Sequence, residues 1–197
     1  MEKGIRFKVE KSHPNIPWCI FFTGMFEYGD SFEWVNTAEK LIGYCNSLLI
    51  RDARKKWFSR EIKNILCLME SHGIKKENAL CIGLSGGGYA ALLIADLFGC
   101  RSLAFSPQTH LGREFNTVYD NKYHKSLPDR HEYMDIGFIR GERHTIYYPI
   151  NNLNDRLHAT RMNVILHPVN QGHHNVLEGI DRVHLIKEEL RRITLGR

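Results

Sequence analysis

The sequence predicts an α/β protein built on a doubly wound, mostly parallel sheet. Three observations carry that prediction. Short apolar runs alternate with helical patterns along the whole 197-residue chain. The central runs are continuous rather than alternating, as in strands covered on both faces. Between one run and the next helix stands Gly83-Leu84-Ser85-Gly86-Gly87-Gly88, a glycine-rich strand-to-helix turn that holds a serine.

The elements follow in order. Ile5-Arg6-Phe7-Lys8-Val9 alternates apolar and charged residues, the pattern of an edge strand. Pro14 and Pro17 break the chain, and Trp18-Cys19-Ile20-Phe21-Phe22 reads as a buried strand ending at Thr23-Gly24-Met25. Asp30-Ser31 is placed to cap a short helix through Trp34 and Leu41. Ser47-Leu48-Leu49-Ile50 is a third strand. Trp57, Phe58, Ile62, Ile65, Leu66 and Met69 then make one apolar helix face, closed by His72-Gly73. Asn78-Ala79-Leu80-Cys81-Ile82 is the strand that leads into the serine turn. The small-residue run from Tyr89 to Phe98 is the helix that leaves it, stopped by Gly99.

Arg101-Ser102-Leu103-Ala104-Phe105 is the next strand and runs into Ser106-Pro107-Gln108. From 107 to 141 the periodicity fails in a stretch rich in Tyr, His, Arg and Asn. An insertion after a strand end suits a lid or substrate loop, and equally a plain surface excursion. His144 to Ile150 reads as a strand, Asn154 to Met162 as a helix, and Asn163 to His167 as the last strand. Asn170-Gln171-Gly172-His173-His174 is a turn. The final helix carries Val176, Ile180, Val183, Ile186, Leu190 and Ile193 on one face. Residues 1–197 form a single domain.

Composition narrows the class. With 43% hydrophobic residues the chain can build a real core, and 25% charged residues is ordinary for a soluble domain. The net charge of +5 comes without a dense basic block or a recognition motif, so a nucleic-acid partner is not expected. Five scattered cysteines, with no Cys-x-x-Cys pair, read as reduced thiols. The first residues open no signal-peptide core and no stretch is long enough to span a membrane, so the expected location is cytoplasmic.

The chemistry follows from Ser85. Its turn is no Walker loop, because no Gly-Lys-Ser/Thr follows, and no dinucleotide fingerprint, because Ser85 occupies the second glycine position. Such a turn holds a serine clear of the sheet, beside the free N–H groups of a helix N-terminus. A serine hydroxyl needs a base, and the base needs an acid that fixes its tautomer. In hydrolases the order along the chain is Ser, then Asp or Glu, then His. Asp155, after the penultimate strand, is the acid that fits. Asp120, Asp129 and Asp135, inside the irregular insertion, are weaker candidates. His173 or His174, after the last strand, is the base, with His174 preferred because a helix would follow it directly. His167 precedes Pro168 and belongs to the strand edge. The backbone N–H groups of Gly86 and Met25 would make the oxyanion hole, and Gly24 and Gln108 would face substrate.

On Phe22-Thr23-Gly24, Gly83 to Leu92, Asp155 to Ala159 and the terminal Gly-His-His-Asn, the chain resembles the α/β-hydrolase family from roughly Trp18 to Ile193. Phe105-Ser106-Pro107-Gln108 and its small-residue surroundings look like a bacterial subgroup found among surface-polysaccharide and glycan-processing genes. The resemblance implies a minimal fold without a large cap domain, and cleavage of an acyl or acetyl ester through an acyl-enzyme, with no metal or organic cofactor. The substrate would be a small-molecule or carbohydrate ester. The same residues also suit an acyltransferase, and a non-catalytic binding protein on this fold is the reading from a different class. Gly86-Gly87-Gly88 departs from the family, where many members carry a bulkier residue after the serine.

Overall fold

A computed structural model describes residues 4–11, 13–24, 33–53, 57–111 and 135–196. Its strands are β1 (Ile5–Glu10), β2 (Trp18–Phe22), β3 (Asn46–Asp52), β4 (Ala79–Leu84), β5 (Arg101–Phe105), β6 (Arg140–Pro149) and β7 (Asn163–Val169). They form one sheet in the order β1-β3-β2-β4-β5-β6-β7. Only β1 is antiparallel, paired to β3. The helices are α1 (Val35–Glu39), α2 (Ile62–Ser71), α3 (Gly86–Phe98), α4 (Leu153–Thr160) and α5 (Arg182–Thr194).

The continuous apolar runs have a simple cause. Along β2, Trp18, Ile20 and Phe22 join one core, while Cys19 and Phe21 join another on the opposite face. The first core takes Ile65 and Met69 of α2, Leu92 of α3 and Ala159 of α4. The second takes Trp34, Leu41 and, from α5, Ile186, Leu190 and Ile193. A strand with helices on both sides has no polar face to show. The edges differ: β1 does not bury one alternating face, since Arg6, Phe7 and Lys8 are all exposed, and much of β7 is only half-buried.

Several sequence expectations shift. Trp57 and Phe58 are not helical: both have positive φ (59° and 58°) and precede α2, although both are buried. Asp52 Oδ2 fixes this stretch by accepting the Phe58 N–H at 2.9 Å. The short first helix spans only five residues, with Trp34 and no side-chain bond at its N-cap; Asp30 and Ser31 lie outside the described residues. The last helix begins at Arg182, so Val176 packs from a 3-10 turn (Val176–Gly179) that intervenes. β6 starts at Arg140, four residues earlier than its apolar core suggests.

Glycine sets the spacing at the centre. A Cβ on Gly83 would lie 2.1 Å from Gly87 O, and one on Gly87 would lie 2.3 Å from Phe22 O. Gly88 is milder, 3.1 Å from Pro107 Cβ. The glycine-rich start of α3 is thus packing: the helix passes so close to β2 and β4 that no side chain fits.

At the opposite, N-terminal end of β5, a buried serine–histidine pair is structural. Ser102 and His144 are register partners across β5 and β6, with Oγ and Nδ1 2.8 Å apart. His144 Nε2 accepts from Arg143 Nε at 3.0 Å, so a neutral ring donates Nδ1–H to Ser102. Arg143 in turn pairs with Asp96 at 2.6 Å. Burial, first, and then Arg143 push the His144 imidazole down to about 4.

Two outcomes follow. Gly87→Ala should lower the unfolding free energy by about 1–3 kcal/mol or more, read by chemical denaturation, because backbone rather than a flexible side chain must give way. The His144 imidazole takes a proton more readily once unfolded, so its stabilisation is complete above about pH 6.5 and is lost as pH falls toward 4. The loss is on the order of 3 kcal/mol. His144→Gln should be less stable at neutral pH but show a shallower fall in stability over that window.

Candidate active site

Ser85 stands between β4 and α3 with φ 55° and ψ −120°, a conformation that L-residues adopt only when their surroundings force it. Three contacts do so here. The Ser85 N–H donates to Phe105 O at 2.9 Å, its carbonyl accepts the Tyr89 N–H at 3.0 Å, and the glycine contacts fix both flanks. Gly86 is the first residue of α3, and N–H groups of a first helical turn have no intrahelical acceptor.

Asp155 and His174 are brought together. His174 Nδ1 lies 2.7 Å from Asp155 Oδ1, at the C-terminal ends of β7 and β6 respectively. Asp155 is buried in the first turn of α4, whose start is capped by Asn152 Oδ1 accepting from the Asn154 and Asp155 N–H groups. His174 Nε2 is also buried and has no hydrogen-bond partner among the described residues. With Nδ1 committed to a carboxylate, Nε2 is left as the acceptor nitrogen. The neighbouring His173 is exposed and turns toward Glu178, with Nε2 3.6 Å from Oε2. The turn that carries His173 and His174 is followed by a 3-10 turn, so the helix expected directly after His174 is not what distinguishes the two histidines. Their side-chain directions do.

Two residues without a role in the sequence reading hold this arrangement. Ser106, fully buried at the end of β5 with φ 42°, donates its hydroxyl to the His174 carbonyl at 2.7 Å. Since the Ser85 N–H bonds to Phe105 O, the elbow and the histidine turn are tied to adjacent residues of one strand end. His158, one turn after Asp155 on α4, accepts the N–H groups of Thr109 (3.1 Å) and His110 (3.3 Å) on Nδ1. Burial and, secondarily, the His110 charge push it down to about 3, so it is a neutral clasp on the chain beyond β5. Positive φ at a buried serine was the only local clue to Ser106, and sequence does not carry φ.

The remaining candidates are distributed as follows. The Gly24 N–H donates to Glu33 Oε2 at 3.0 Å. Gln108 is half-buried just beyond β5. His167 lies in β7, stacked on Tyr147 at 4.7 Å. Asp135 pairs with His110, its Oδ1 3.4 Å from Nε2. Met25, Asp120, Asp129 and most of the 107–141 stretch lie outside the described residues. Among the described residues there is no group of three or more metal-ligating side chains, and no helix is long and apolar enough to cross a membrane.

The Asp155–His174 bond is testable without a substrate. Proton NMR should show a far-downfield Nδ1–H resonance that is lost in Asp155→Ala and His174→Ala and kept in His173→Ala.

No protein-family model matches the sequence, and no curated protein does. Solved structures match over nearly the whole chain. The capsule O-acetyltransferase of Neisseria meningitidis serogroup A superposes with a TM-score of 0.67 at 13% identity, covering 100% of this chain and 93% of that one. Esterase 2 of Thermogutta terrifontis gives 0.67 at 14% identity, covering 98% and 89%. The enol-lactonase of Burkholderia xenovorans LB400 gives 0.61 at 13% identity, covering 97% and 96%. Together with the seven-stranded order, the single antiparallel edge and the serine turn between β4 and α3, these likenesses give the chain the α/β-hydrolase fold.

Proposed function

We propose that the protein is a serine-dependent enzyme that cleaves or transfers an acyl ester. The observation that carries this reading is the 2.7 Å Asp155–His174 bond, together with a strained serine that also lies past the C-terminal end of a strand of the parallel sheet. Ser85 is the nucleophile, His174 the general base and Asp155 its orienting acid. His174 Nε2 removes the Ser85 hydroxyl proton as Oγ attacks the ester carbonyl. The oxyanion is met by the N–H groups of Gly86 and Met25. The intermediate collapses, the proton on Nε2 passes to the leaving alcohol, and an acyl-enzyme remains. Water or an alcohol, deprotonated by the same nitrogen, then releases the acyl group.

The preferred reaction is hydrolysis of an acetyl or short acyl ester, on a carbohydrate or another small polar molecule. Acyl transfer to a sugar hydroxyl is the second reading. It is favoured by one finding: among the solved structures similar to this chain are a capsule O-acetyltransferase and a variant of it in complex with CoA. The two reactions share every step up to the acyl-enzyme and differ in what removes the acyl group.

A panel of esters of increasing acyl length, with a fluorophosphonate probe alongside, checks the reading. Wild type should prefer short acyl groups and take one adduct at Ser85. Ser85→Ala and His174→Ala should lose about 10³-fold or more in kcat, and His173→Ala should lose little. An unlabelled, folded wild type would identify a binding protein instead. Product analysis with acetyl-CoA and added sugar alcohols separates the branches: acetylated sugar means transfer, and free acetate alone means hydrolysis.

A further inference from the structure

Three successive carbonyls of the turn that carries His174 accept side-chain donors. Ser106 Oγ donates to the middle one, His174 O, at 2.7 Å. The carbonyls on either side share one donor group: Gln171 Nε2 reaches His173 O at 3.3 Å and Asn175 O at 2.9 Å. These acceptors fix the orientation of the amide, because only its nitrogen end can donate. A primary amide carries one N–H for each of the two carbonyls, so both Gln171 donors are used.

Room for that amide is built into the fold. A Cβ on Gly179 would lie 2.7 Å from Gln171 Oε1. Gly179 does not have a positive φ, so its backbone makes no demand for glycine. What its missing side chain provides is space for Gln171. The main chain of Gln171 serves the acid. Its N–H donates to Val169 O at 2.8 Å, which also accepts the Ile150 N–H at 2.9 Å, and its carbonyl accepts the Asn151 N–H at 3.2 Å. Asn152, the next residue, caps the helix on which Asp155 sits. Gln171 thus bonds through its backbone to the loop before Asp155, and through its side chain to the turn that carries His174.

We propose that Gln171 is a positioning residue for the base: its amide brackets His174 and fixes the direction in which the imidazole leaves the turn. The inference rests on the serine-enzyme reading above. The Ser106 bond pins one point of the turn, and bonds on both sides of that point oppose rotation about it. A misdirected base weakens proton transfer without touching bound substrate, so the loss belongs in kcat rather than KM.

The experiment compares full-length wild type with Gln171→Met, Gln171→Glu, Gly179→Ala and Asn170→Ala. Each is followed by fluorophosphonate labelling of Ser85, ester hydrolysis, the downfield His174 Nδ1–H resonance and thermal unfolding. Gln171→Met keeps the length and removes both donors. Gln171→Glu keeps the shape and replaces the donors with acceptor oxygens. Gly179→Ala leaves Gln171 chemically intact and crowds its amide. Asn170→Ala is the control, since it removes only the exposed neighbouring bond from Asn151 Nδ2, at 3.1 Å.

Both Gln171 variants should fall about 10- to 100-fold in labelling rate and kcat, with KM within about threefold and the Nδ1–H resonance broadened. Gly179→Ala should move the same way by about 3- to 10-fold, and Asn170→Ala should stay within about threefold of wild type. If one Gln171 variant does not fold, the other and Gly179→Ala carry the comparison. Labelling and kcat unchanged in the folded Gln171 variants of a labelled wild type would overturn the inference. So would a loss confined to Gln171→Glu, which would trace the effect to the new charge. Asn170→Ala as impaired as Gln171→Met would overturn it too, as a general loosening of the turn. A wild type that takes no adduct at Ser85 would bring down the serine-enzyme reading and this inference with it.

Discussion

The site depends first on how closely α3 passes the sheet where it begins. At Gly83 and Gly87 the backbones meet with no room for a Cβ, and this contact sets where Ser85 can sit. A helix start pressed against β2 and β4 leaves the intervening residue one conformation, with positive φ, whatever its side chain. The strain at Ser85 is thus imposed by packing on both sides of it. The third glycine, Gly88, lets Pro107 lie across the same helix start, so the chain beyond β5 is drawn toward the serine as well. A bulkier residue at that position would push Ser106, and with it the histidine turn, outward.

Sheet polarity explains why one serine–histidine grouping is read as chemistry and the other as scaffolding. Ser102 and His144 are as close as a catalytic pair, yet they sit near the N-terminal end of β5 and are sealed from solvent. Ser85, Ser106, Asp155 and His174 gather past the C-terminal ends, where loops open in parallel sheets. The buried His144 and His158 are neutral by desolvation.

Much of this was legible from residue order. β2 and β5 were read to the residue, because continuous apolar runs bounded by Pro and Gly admit little else. Helical spacing sets the start of α2 too early, because Trp57 and Phe58 stand at that spacing and are buried, yet are held in a turn by Asp52. The late start of α5 has a similar cause, since Val176 faces the core from a 3-10 turn. Spacing reports which residues are buried and is blind to the backbone that buries them. The choice between His173 and His174 turns on side-chain direction, which adjacent residues in a turn do not reveal. Ser106 is bonded to a backbone group 68 residues away, and no motif marks such a partner.

The bond from Ser106 reaches the main-chain oxygen of His174, not its ring. Any residue at 174 offers that oxygen, so the turn is fastened independently of the group it displays. Scaffold and reactivity are separable at this point of the chain. The imidazole can be replaced without undoing the clasp, so the side chain at position 174 can be changed while the turn that carries it stays fastened.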